Sequence, residues 1–164
     1  MSLTTALLAE FKNEATNTRK MLERVPGDKL EWRPHEKSMT LGRLATHLAE
    51  LPLWTNRIMD GAEFDFAKSN FSHTSEESTD AIVKLFDETM ASAAQILEAA
   101  ADTDLDAAWS LRQGDHVYFT LPRKVSLRSL VFNHSYHHRG QLSVYLRLLD
   151  VSVPGMYGPS ADER

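Results

Sequence analysis

The chain has 164 residues, 42% hydrophobic and 25% charged, which suits one globular domain over residues 1–164 with a sizeable core. Its formal net charge is -5 and it has no long basic run, so neither nucleic acid nor an anionic membrane surface is an expected partner. Cysteine is absent, which removes disulfides, thiolate ligands and a cysteine nucleophile and fits a cytoplasmic setting.

The opening MSLTTALLAEFKNEATNTRK has no basic lead before an apolar core, so it reads as an amphipathic helix and not as a signal peptide. Leu3, Leu7, Phe11, Ala15, Thr18 and Leu22 recur at helical spacing, and a helix is expected over 2–24. Pro26 and Gly27 stop it. After a polar loop, Ser38 or Thr40 can cap the next helix, over 40–60. Its stripe is Leu41, Leu44, Leu48, Leu51, Thr55 and Ile58, with His47 at the border. Pro52 falls inside the pattern and predicts a kink or local irregularity.

Residues 62–75 read as a loop and 76–101 as a third long helix, carrying Ile82, Phe86, Ala93 and Leu97. The pattern then changes. Gly114-Asp115 between Trp109/Leu111 and Val117/Phe119 predicts a short hairpin or an extended loop. Residues 126–149 return to helix, and the Pro- and Gly-rich ending VSVPGMYGPSADER stops it. No run approaches the ~18 apolar residues that a membrane helix needs. The expected class is all-α: a four-helix bundle with long crossover connections.

The last helix holds the chemistry. His134 and His138 lie one turn apart on the stripe of Leu127, Val131, Leu142 and Tyr145, so both rings point into the bundle. His137 sits at the edge of that stripe, and His35, His73 and His116 fall in loops. An unpaired buried polar group costs about 1–3 kcal/mol, so inward imidazoles need partners. A divalent cation can take the neutral nitrogen lone pairs of both rings. A third histidine from a facing helix, such as His47, would make three protein ligands and leave a position open. The alternative is a set of hydrogen-bonded core histidines with no metal. Residue 135 is Ser, so H-E-x-x-H is absent, and no G-x-S-x-G, P-loop, G-x-G-x-x-G or EF-hand loop occurs.

Around these residues, Gln141 either hydrogen-bonds near the histidines or fills the core edge, with core edge the simpler reading. Glu50 is a second-shell group or a solvated glutamate. Trp54 is a pocket wall or a core aromatic. Arg139 points away from the seam, toward a surface or inter-helix ion pair.

Two stretches, SMTLGRLATHLAELPLW at 38–54 and NHSYHHRGQLSVYLRLLDVSVPGMYGPSADE at 133–163, resemble the DinB family of DinB/YfiT-like metalloenzymes. The resemblance runs over most of the chain. H-x-x-x-H-R-G-Q-L followed by V-P-x-x-Y-G-P-S-A-D is its most specific part. It implies a four-helix bundle in which His47, His134 and His138 bind a divalent metal, zinc or nickel. It also implies a homodimer. The family is similar to thiol-dependent transferases, which implies a low-molecular-weight thiol as cosubstrate and a small electrophile as substrate.

Three functions follow. A metal-dependent transferase would lower the pKa of a bound thiol, which then attacks the electrophile. A metal-dependent hydrolase would treat water in the same way. Its usual helper carboxylate is not evident, although Glu36, Asp115 or Asp162 in loops can be considered. A non-catalytic, stress-related metal- or ligand-binding dimer would use the same histidines as a sensor or staple.

Overall fold

The computed structural model describes residues 2–70, 72 and 74–163. Helix α1 (Leu3–Leu22) starts where the Ser2 hydroxyl accepts from the Thr5 amide at 3.2 Å. Its first turn is also held by Asp102, which accepts from the Leu3 and Thr4 amides at 2.9 Å each. The inward stripe buries Leu7, Phe11, Thr18, Met21 and Leu22.

Helix α2 (Leu41–Glu50) is capped by Thr40, whose hydroxyl accepts from the Arg43 amide. Helix α3 (Leu53–Met59) follows after the break at Pro52. Leu51 and Pro52 keep right-handed helical dihedrals, so the chain passes from α2 into α3 through a local irregularity at the proline, which has no N–H to donate. Helix α4 (Thr79–Ala99) buries Ile82, Phe86, Thr89, Ala93 and Leu97 against α1, α2 and α3. The Thr89 hydroxyl donates to the Ala49 carbonyl at 2.7 Å and ties α4 to α2.

A short helix α5 (Asp102–Asp106) leads into a sheet. Its strands are β1 (Glu63–Asp65), β2 (Ala108–Gln113) and β3 (His116–Pro122), in the order β1-β2-β3. β1 runs parallel to β2, with Glu63 opposite Ser110; β2 and β3 are antiparallel around Gly114-Asp115. The chain is therefore mixed α and β, and the expected all-α four-helix bundle is corrected. The hairpin lies where the turn residues put it. What the reading lacked was β1: three residues, Glu63-Phe64-Asp65, carry too little alternation to announce a strand. Trp109 and Leu111 alternate inward, and the buried Trp109 indole donates to the Arg57 carbonyl at 3.1 Å, fixing β2 against α3.

The expected last helix is also interrupted. Helix α6 (Arg123–Leu127) passes into a π-helical segment, Arg128–Asn133, before α7 (His134–Leu148). π segments bond i to i+5 and shift the phase of the residues after them. α7 packs on α2 and α1, and the buried apolar residues of helices and sheet form one cluster. No helix among the described residues is long and apolar enough to cross a membrane.

Candidate metal centre

α2 brings His47 to the last helical run, where the π segment ends at His134 and one further turn reaches His138. Each of the three residues offers one nitrogen, and these atoms lie within 4.8 Å of one another. His47 Nε2 and His134 Nε2 are 3.4 Å apart. Two ligands on one tetrahedral ion, each about 2.1 Å from it, stand roughly 3.4 Å apart, so this pair already has a usable separation. The ring centroids of His47–His138 and His134–His138 are both 4.6 Å apart. Three imidazole nitrogens form a donor set that fits a divalent cation.

The rings are held from behind. His138 Nδ1 is 2.7 Å from Gln141 Oε1, so it donates its proton there and leaves Nε2 with the lone pair. The His134 ring bonds the Leu130 backbone carbonyl, inside the π segment. His47 Nδ1 has two neighbours of opposite effect. Arg43 Nη2, 3.4 Å away, can only donate and favours the proton on Nε2. Glu50 Oε2, 3.9 Å away, favours it on Nδ1. Arg43 also binds Glu50 at 2.9 Å and the Thr74 carbonyl at 2.6 Å.

Burial disfavours the charged form of His134 and His138. Desolvation pushes His134 down to about 4, helped by repulsion from His138 and His137. Desolvation lowers His138 as well, against the Gln141 contact, which raises it. A neutral ring near pH 7 presents a lone pair without first losing a proton.

Two clefts meet at His47. One, of about 460 Å³, is lined by His47, His134, Trp54, Phe66, Leu111, Gln113, Tyr118 and Leu130. The other, of about 230 Å³, is more polar and includes Glu50, Arg57 and Thr74. Trp54 belongs to both, so it walls a pocket as well as packing against the core. Its ring meets Phe64 edge-on at 5.2 Å, and the Arg57 guanidinium lies 4.6 Å over it.

Sequence reasoning missed the sheet wall: Phe66, Leu111, Gln113 and Tyr118. The alternation around Gly114-Asp115 marked a hairpin but held no sign of what it would face. Gln141 is exposed and bonds His138, so the core-edge reading is corrected. Glu50 is partly buried beside His47. His137, His35 and His116 are exposed, and His73 lies outside the described residues. Neither cleft at His47 is lined by Glu36, Asp115 or Asp162. Asp162 instead accepts from Arg147 at 2.6 Å and from the Val153 amide at 2.8 Å, folding the tail back on itself. Arg139 forms a buried inter-helix pair with Glu14 at 2.6 Å, joined by the Tyr157 hydroxyl.

The sequence profile of the DinB family matches residues 1–164. The uncharacterized protein YjoA of Bacillus subtilis is 27% identical over 146 residues, covering 86% of this chain and 87% of YjoA. YrdA of the same organism, also uncharacterized, is 25% identical over 167 residues, covering 95% and 89%. Among solved structures, a DinB-like protein of Bacillus cereus superposes with a TM-score of 0.70 at 25% identity, covering 92% of this chain and 95% of that one. The crystal structure of YjoA superposes with the same TM-score at 21% identity, covering 97% and 99%, and speaks to the fold alone.

Proposed function

This chain belongs to the DinB family, and from that premise we propose that it is a metal-dependent enzyme that transfers a small thiol to an electrophile. The observation that carries the reading is the convergence of His47, His134 and His138, the first two of which also line a cleft. A divalent cation held there would supply Lewis acidity, lowering the pKa of a thiol at a position the protein leaves open.

The chain's own residues do the rest. The three imidazoles present ring nitrogens to the ion, and burial, which disfavours the charged form of His134 and His138, keeps those two from opposing the cation. Gln141 fixes the His138 ring, and Glu50 and Arg43 flank that of His47. Trp54, Phe66 and Leu111 keep the cleft apolar, so a sulfur nucleophile in it is poorly hydrated and more reactive. In the transfer the thiol proton leaves to solvent, sulfur forms a bond to the electrophilic carbon, and the leaving group departs with its bonding electrons. No carboxylate lines the cleft that His134 also lines, which favours thiol transfer over hydrolysis. A cytoplasmic homodimer is part of the proposal; the outer face of α7 supports it by leaving Val144 and Leu148 more than half exposed.

Elemental analysis of tagless protein purified without chelator tests the premise. About one transition metal per chain is expected, and His47→Ala, His134→Ala or His138→Ala should each remove most of it. Full stoichiometry in any of the three would sink the triad. Metal without thiol turnover would favour a non-catalytic binding protein.

A further inference from the structure

The larger cleft has a character that narrows the substrate. Its walls come from four separate elements: Trp54 on α3, Phe66 just after β1, Leu111, Gln113 and Tyr118 on the hairpin, and Leu130 on the π segment. Apart from the imidazoles at its floor, none of these side chains is charged. The lining rings form a connected wall, Trp54–Phe66 at 6.1 Å and Phe66–Tyr118 at 6.4 Å, with Phe64 packed on Phe66 at 5.2 Å outside the lining. The one amide, Gln113, is engaged by the Tyr118 hydroxyl at 2.8 Å, at the rim. A volume of about 460 Å³ lies in the range of small-molecule sites.

We infer that this cleft binds the organic portion of an uncharged, flat, aromatic-sized molecule, with its reactive atom directed at His47 and His134. This deepens the thiol-transfer reading and rests on it for the identity of the reactive centre. The physical case is complementarity. Flat apolar groups bury well against edge-on aromatic walls. A charged group held against this wall, away from the triad, would lose water and find no opposite charge among the lining side chains.

The test uses the full chain loaded with cobalt(II), whose thiolate charge-transfer absorption reports sulfur at the metal. Benzyl mercaptan and 2-mercaptoethanol are alkyl thiols of closely similar acidity that differ in apolar surface. Benzyl mercaptan should bind at least tenfold more tightly. Leu111→Arg, which fills the cleft with a cation, should erase that preference while keeping about one cobalt per chain. Tyr118→Ala, at a half-exposed position, should reduce it. In parallel, saturation-transfer NMR with benzyl alcohol on metal-free protein should show contact that Leu111→Arg abolishes. Equal affinity for the two thiols, or a preference that survives Leu111→Arg, overturns the inference, as does absence of benzyl alcohol contact. No cobalt uptake together with benzyl alcohol contact would instead overturn the metal reading and leave the aromatic cleft standing.

Discussion

The proton on each imidazole decides whether three rings can share one cation. His134 titrates at about 4 in the folded chain because burial disfavours its charge, whereas an unperturbed histidine titrates near 6.5. Between those values the unfolded chain binds a proton that the native state refuses. Stability of the chelator-treated protein should therefore be fully present above about pH 6.5 and fall as the pH drops to about 4. Thermal melts across that window should show the slope, and His134→Gln should flatten it; identical slopes would refute the assignment. Gln141 acts through His138 by holding its Nδ1 proton. Gln141→Ala should weaken metal binding about 10–100-fold in a competition titration, and Gln141→Glu, which keeps an acceptor, should recover most of the loss. Unchanged affinity in the alanine variant would make Gln141 a bystander.

At the scale of elements, the sheet matters more than its size suggests, since it supplies one wall of the cleft. Its turn is clamped by Asp65, which accepts from the Gly114 and Ala67 amides at 2.9 Å each. Gly114 has a φ of 57°, a left-handed conformation that glycine adopts without strain. Asp65→Ala should leave both amides without this acceptor and cost about 1–3 kcal/mol in urea unfolding. Because none of His47, His134 and His138 lies on a strand, metal stoichiometry should survive that change. Loss of metal along with stability would mean that the sheet also shapes the triad. The π segment is the other decisive element. It places the Leu130 carbonyl against the His134 ring, within an otherwise helical stretch.

For the whole molecule, the question is how the helices hold one register while α7 faces both the triad and solvent. Arg139 is buried and ties α7 to α1 through Glu14 and Thr18, and Tyr157 brings the tail onto that same pair. The tail therefore docks on the α1–α7 face and contributes no lining to the clefts at His47. The exposed Val144 and Leu148 mark the outer side of α7 as the proposed contact between two copies. Sedimentation at micromolar concentration should give a dimer, and Val144→Glu with Leu148→Glu should shift it to monomer; a wild-type chain that sediments only as monomer would remove the dimer.

Much of this was legible in the residues taken in order. Leu7, Phe11 and Leu22 announced α1, Pro52 announced the irregularity between α2 and α3, and the spacing of His134 and His138 put both rings on one face, because helical periodicity is a local property. The resemblance pointed to His47 as their companion, and the packing of α2 on α7 brings it there. Tertiary structure alone decided the pairing of Glu63 with Ser110, the aromatic wall built by Phe66 and Tyr118, and the partner of Gln141. Each of these depends on which surfaces meet after the chain has folded. A three-residue strand or a lone glutamine carries no periodic signal of what it will face.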